Sequence, residues 1–438
     1  MNRYEEYKKV NLIWLKEIPS HWEIIPISHV FEERRERNNN GNNQFILSVM
    51  KNIGVIPYTD KGNVGNKVSE NIENYKVVYP NDLVLNSMNM MIGSLGKSNY
   101  KGVLSQVYYV LKLMNSSKYN IDYLNYLFKN KVFHESFRVL GKGILDHRLR
   151  VPIQLLKYEK IIIPPINEQE QIANYLDWKI NEIDRLIQIE KEKIKELNHI
   201  KQLSISFEYK KISKKIRLKM LLSEPLLYGI NGTGETDGSI RFIRITDINK
   251  DGELKENNCQ YFDNCDNKFL LKKGDILFAR SGTVGKSYIH KSENMKMCFA
   301  GYLIRARLDT EIVLPEFVYL YTQSADYEKW KESISIQSTI QNISAEKYAN
   351  LQIPFVDKIE QKNIIQHLRK IINSIEKCKV IISKKIKELE SLKQSLISEV
   401  VTGKIDVRNV VIPEYEKVTI LYDEIEEFDE KEGIEDGN

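Results

Sequence analysis

Two long stretches of the chain place apolar residues at alternating intervals of four and three. In the first, Leu176, Ile180, Ile183, Ile187, Ile194 and Leu197 hold the frame and Glu190 interrupts it. In the second, Leu368, Ile372, Ile375, Ile382, Ile386, Leu389 and Leu396 hold it and Lys379 interrupts. Set among Glu, Lys, Gln and Leu and free of Pro and Gly, such a stripe predicts a long helix with a coiled-coil seam. Each stretch opens on a proline stop. Pro164-Pro165 precedes the first, with Asn167 as the expected N-cap and Glu168 and Glu170 in the first turn; Pro354 and then Asp357 precede the second.

The two stretches are copies. Glu168–Ile205 and Glu360–Ile397 align without a gap at an offset of 192, with 16 of 38 positions identical, including KIKEL at Lys193–Leu197 and Lys385–Leu389. This is an internal duplication. At 1.5 Å per residue the shared segment makes a rod of roughly 57 Å, longer than a small domain covers. Pairing of each rod with its own copy, antiparallel, is therefore expected, the competing arrangement being a helix packed on its own globular block. Placing Glu190 opposite Lys379 also places Ile183 on Ile386, Ile187 on Ile382 and Ile194 on Ile375, so that charge pair is the expected register device.

The blocks before the helices correspond more weakly. Asn81–Leu85 (NDLVL) aligns with Gly274–Phe278 (GDILF), each a turn entering a buried strand, and Gly93–Ser98 (GSLGKS) aligns with Gly282–Ser287 (GTVGKS), with four extra residues between these landmarks in the first block. Asn38–Asn43 reads as an exposed loop. Strand-like runs at Val103–Leu113 and Ile240–Ile245 mix with helical stretches at Ile121–Phe128 and Pro315–Thr322. The expected fold class is α/β (mixed α+β): a first domain over 1–162, a helix over 163–207, a second, similar domain over 208–352, a second helix over 353–407 and an acidic tail over 408–438.

A length of 438 residues bounds the chain at two to four compact units, and 42% apolar with 29% charged residues is ordinary for a folded protein. The net charge of +5 is unevenly spread: Glu414–Asn438 holds eleven acids against Lys417 and Lys431, a net of −9, which leaves residues 1–413 near +14. So basic a body suits a polyanion, nucleic acid above all. The tail reads as a solvated, frayed end. Cys259, Cys265, Cys298 and Cys378 show neither disulfide-framework nor zinc spacing, and no signal-peptide or membrane-length apolar run is present, which together point to the cytoplasm.

Chemistry is sparse. GTVGKS has the ending of a phosphate-binding loop, but the glycine such a loop needs six residues before the lysine is Arg280 here and Met91 in the first copy. A Gly-rich turn after a strand is the better reading. Nucleophile-elbow, HExxH and EF-hand patterns are missing, so the sequence supports binding over catalysis, with no metal and no cofactor expected in this chain. Candidate DNA contacts are loop residues able to reach phosphates or base edges. They are Lys97, Lys142, His147, Arg148 and Arg150 in the first block, three of them within Gly141–Val151 (GKGILDHRLRV) together with Lys142, and Arg244, Arg280, Lys286, Gln337, Thr339, Gln341 and Asn342 in the second, the last four within Ile336–Ile343 (IQSTIQNI). Arg241 and Arg244 alternate with apolar residues, so at least one is expected to face solvent.

Five segments carry a family resemblance: Ile18–Trp22 (IPSHW), Ile163–Leu176 (IPPINEQEQIANYL), Arg241–Ile248 (RFIRITDI), Lys273–Lys286 (KGDILFARSGTVGK) and Leu396–Arg408 (LISEVVTGKIDVR). With them the chain resembles the specificity subunit of a type I restriction-modification system. The resemblance implies a non-catalytic reader of double-stranded DNA with two target-recognition domains on an antiparallel coiled coil, one per half of a bipartite target. It also implies two methyltransferase and two restriction (motor-nuclease) partners, on which S-adenosylmethionine, ATP and magnesium would be bound. Half-sites would then be held at one spacing of several base pairs. Asn86–Met91 (NSMNMM) departs from the Arg280-Ser281 of the second block, which puts an equivalent contact there in doubt. A related system with a fused methyltransferase-nuclease partner, and a coiled-coil scaffold binding DNA without sequence preference, are the alternatives.

Overall fold

The computed structural model describes residues 2–51, 53–61, 68, 71–141, 149–249, 251–281, 285–292, 295–335 and 342–418. The chain divides into two compact units, the first made of 1–190 with 384–438 and the second of 191–383. Two long helices, α1 (Ile166–Lys210) and α2 (Lys358–Val401), each contribute to both.

The first unit is built on a four-stranded antiparallel sheet of β1 (Phe31–Glu33), β2 (Leu83–Asn86), β3 (Leu95–Lys97) and β4 (Tyr108–Leu113), in the spatial order β1-β4-β2-β3. The second unit repeats the plan with β5 (Leu227–Tyr228), β6 (Ile276–Ala279), β7 (Ser287–Ile289) and β8 (Leu303–Ala306), in the order β5-β8-β6-β7. All four residues of β2 and of β6 are buried, as central strands flanked on both sides should be, and all but Asn86 are apolar. Each of these strands is entered by the same turn. Asn81 (φ 69°) and Gly274 (φ 90°) adopt the left-handed conformation that Asn and Gly tolerate best. The following Asp82 and Asp275 are buried and each takes a two-nitrogen grip from an arginine, Arg34 and Arg307 respectively. The aspartate is common to both copies, while its arginine follows β1 in one and β8 in the other.

The ladder corrects one alignment. Leu95 lies opposite Leu85, and Ser287 opposite Phe278, so β3 and β7 correspond at the same offset of 192 as the helices. The GKS matches are therefore three residues out of register: Lys97 lies inside β3, whereas Lys286 stands just before β7. The glycine-rich stretch contains β3 in the first copy and runs into β7 in the second, where a phosphate-binding loop requires a helix.

The repeated Glu-Gln at the head of each helix has a structural role. Gln169 accepts from Asn120 N (2.8 Å) and donates to the carbonyls of Pro164 and Lys118. Gln361 accepts from Leu314 N (2.8 Å) and donates to the carbonyls of Val356 and Ile312. Both are fully buried, and each stitches the start of a long helix to the segment entering the short helix of its block, Ile121–Lys129 or Pro315–Tyr321. Asp357 caps α2 through Oδ1, which accepts from Ile359 N and Glu360 N. In α1 the equivalent position is Pro165, whose carbonyl already accepts from Gln169 N (3.0 Å). Asn167 is thus inside the first turn instead of capping it, because the fixed φ of proline can start the helix two residues earlier.

Within each unit the two helices run antiparallel. In the first, Asp184 pairs with Lys393 (2.7 Å) and Glu190 with Lys385 (2.8 Å); in the second, Lys201 pairs with Glu376 (3.1 Å) and Glu208 with His367 (3.6 Å). Leu176, Ile180, Ile183 and Glu190 are buried in the first unit with Ile386, and Leu368 and Ile375 in the second. Ile187, Ile194, Leu197, Ile372, Ile382 and Leu389 are half-buried. The expected Glu190–Lys379 register is wrong by about one heptad: Lys379 instead contacts Asp251 (3.2 Å) and Glu376 (3.1 Å). A seven-residue slide superimposes one apolar seam on itself, so seam pattern alone leaves the choice to the charges beside it.

The tail also differs from expectation in its first part. Gln171 donates to the carbonyls of Val407 and Val410, and Asn181 exchanges two bonds with Glu416 O and Val418 N, so residues 407–418 lie along the first half of α1. Residues 419–438, with most of the acids, are outside the described residues.

Candidate nucleic-acid interface

One end of the second unit's sheet gathers polar side chains by its topology. In an antiparallel sheet β5 ends where β8 begins, and β6 ends where β7 begins, so Tyr228, Tyr302, Arg280 and Lys286 all stand at that end. Arg280 N donates to Tyr302 O (2.9 Å), its Nε donates to Asn342 Oδ1 (3.1 Å), and its guanidinium lies 5.2 Å from the centre of the Tyr228 ring. Tyr228 is itself anchored, its hydroxyl accepting from Ala345 N (2.9 Å). Tyr302 is 64% exposed and offers a free aromatic face. Lys286 Nζ donates to Ile248 O (2.6 Å).

The corresponding end of the first unit holds Ser87 after β2, Tyr108 at the start of β4, Lys76 and Arg150. Lys76 Nζ donates to Tyr108 O (2.8 Å) and lies 3.5 Å from Glu33; burial pulls its ammonium below the usual lysine value, and Arg150 is one of the cations that adds to this. Arg150 is exposed.

Other sequence candidates are placed elsewhere. Lys97 is tied to Asp122, so its charge is spent within the domain. Arg244 is held by Asp247 (2.7 Å) and by Asn258 O (2.6 Å). Arg241 is buried against Glu256 and the Lys255 carbonyl, so of the alternating pair it is Arg244 that is partly exposed. Lys142, His147, Arg148, Gln337, Thr339 and Gln341 lie outside the described residues. The structure thus brings Arg280, Lys286 and Asn342 to one sheet end and adds Tyr228 and Tyr302, which sequence reasoning missed. Their signal in the sequence was only an aromatic beside a glycine, Tyr228-Gly229 and Gly301-Tyr302, a common pattern on its own.

The strands, the helices and the sheet ends all repeat. A family model, type I restriction modification DNA specificity domain, matches residues 19–199 and again 232–391. The chain belongs to this family. Among proteins similar to this specificity-domain chain is the type I restriction enzyme MjaVIII specificity subunit of Methanocaldococcus jannaschii, 24% identical over 428 residues that span 90% of this chain and 95% of that one. A solved chain from a structural account of complex assembly and conformational transition in the type I R-M system is similar in fold, with a TM-score of 0.59 at 14% identity, covering 89% of this chain and 99% of that one. The specificity-domain fold thus extends over both units. Among the described residues, no helix is long and apolar enough to cross a membrane.

Proposed function

We propose that the chain is the non-catalytic DNA-reading subunit of a type I restriction-modification complex, each unit addressing one half of a split duplex target. The observation that carries this is the repetition of one four-stranded sheet whose same end presents cationic side chains in both units, on a body near +14. Phosphate contacts from such a body supply affinity, and side chains at the sheet ends supply the base readout. Two methyltransferase and two restriction subunits would bring the chemistry, with S-adenosylmethionine, ATP and magnesium bound on them, in the cytoplasm. Half-sites are expected at a single spacing.

Selection from randomised duplex DNA by the purified full-length chain at moderate salt tests this reading. A two-part motif with a constant gap is the expected result. A single uninterrupted motif, or binding indifferent to sequence as a plain coiled-coil scaffold would show, overturns it.

A further inference from the structure

Next to the strand end that carries Arg280, the two units make the same backbone contact. Ile343 N donates to Arg280 O at 2.9 Å in the second unit, and Val151 N donates to Ser87 O at 3.0 Å in the first. Residues 151 and 343 are separated by the 192 positions that relate the long helices, and Ser87 and Arg280 each follow the equivalent strands β2 and β6 directly. The neighbouring pairs Ser87/Arg150 and Arg280/Asn342 therefore occupy one place in the fold. Each pair contains a single arginine, and the two copies have it on opposite partners.

The departure of Asn86–Met91 from the second block's pattern is thereby compensated in space. Where β2 is followed by serine, the facing segment supplies Arg150; where β6 is followed by arginine, the facing segment supplies Asn342, which accepts from that arginine's Nε. Five other arginines of the two domains are held by carboxylates: Arg34 by Asp82, Arg241 by Glu256, Arg244 by Asp247, Arg305 by Glu224 and Arg307 by Glu224 and Asp275. Arg280 and Arg150 have no carboxylate partner among the described residues. With Nε engaged by Asn342 and the guanidinium plane near Tyr228, the two terminal nitrogens of Arg280 have no hydrogen-bond partner among the described residues. A fork fixed at its base and open at its tip is the geometry that two acceptors on one base edge require. Ser87 is 1% exposed and its hydroxyl lacks a partner among the described residues, so it is a small filler under this place and no substitute for the fork.

We infer that Arg150 and Arg280 are the equivalent specificity-determining residues of the two domains, each reading the O6 and N7 acceptors of a guanine in its own half-site. This rests on the DNA-reading function proposed above and names one contact within each half. Selection from randomised duplex DNA is run with the full-length wild type, Arg150→Ala, Arg280→Ala and Arg280→Lys, with thermal melts in parallel. Arg280→Ala is expected to lose roughly ten- to a hundredfold preference for one G·C pair in one half of the motif and to leave the other half intact. Arg150→Ala should do the same in the other half. Arg280→Lys, which keeps the charge and loses the fork, should retain total binding and still lose that preference; it serves as the second variant if the alanine change lowers the melting temperature. Wild-type selectivity at every position in Arg150→Ala and Arg280→Lys overturns the assignment. A wild type that selects no motif overturns the functional reading beneath it instead.

Discussion

Lys385 Nζ lies 2.8 Å from Glu190 Oε1, with the carboxylate buried and the lysine about half exposed. A carboxylate inside a helix seam is tolerated only while a cation reaches it, so this contact selects one of the registers that the apolar stripe permits. Lys385→Glu is expected to cost about 1–2 kcal/mol by thermal or urea melts, less than for a fully buried pair because solvent screens the lysine. The double reversal Glu190→Lys/Lys385→Glu should recover part of that loss. Glu190→Lys/Lys379→Glu should recover none; recovery there would restore the register expected from the sequence.

Glu168 and Glu360 stand at equivalent positions of the duplicated helices and differ in what surrounds them. Glu168 is buried and accepts from the Tyr4 hydroxyl, from Trp22 Nε1 (2.9 Å) and from His21 Nε2 (2.8 Å), which ties IPSHW to the head of α1. Arg408 lies over the Tyr4 ring, and Tyr7 donates to Gly403 O, so the end of α2 joins the same cluster. Glu360 is exposed. Glu168→Ala should therefore destabilise by roughly 2–4 kcal/mol, since it leaves several donors unmatched. Glu360→Ala should stay within about 0.5 kcal/mol of the wild type in the same urea titration.

His134 is buried and donates through Nδ1 to Met91 O (2.9 Å), which requires the neutral ring to keep that proton. Burial holds the imidazole below its ordinary value. Because the folded-state value lies below the unfolded one, the unfolded chain binds more protons on acidification, and stability falls as pH drops through the unfolded value near 6.5. Melting temperature should accordingly fall between pH 7.5 and pH 5.5, and less steeply in His134→Gln. His290, also pushed down by burial, leaves a residual slope. Parallel slopes for the two proteins would remove His134 from this account.

Much of the architecture was legible because it is local and periodic. The seam, the proline stops and the gapless 192-residue repeat depend on helix geometry, and the chain keeps them as α1 and α2. The GKS match misled because two short similar strings can be aligned without the ladder that fixes which strand residues face each other; Leu95 opposite Leu85 and Ser287 opposite Phe278 decide it. Arg244 and Lys97 looked available in sequence, yet their carboxylate partners Asp247 and Asp122 occupy them, one only three residues away and the other on a separate helix.

By itself the sequence determined that the protein is a duplicated α/β chain with two long amphipathic helices and a basic body, since periodicity, repeat offset and charge need no knowledge of distant contacts. Tertiary structure alone decided the helix register, the burial of Glu168 against the exposure of Glu360, and the placing of Arg150 where the other copy has Arg280 beside it. These depend on which side chains meet across long loops, and a pairing that slides by one heptad or crosses between strands leaves the same linear pattern behind.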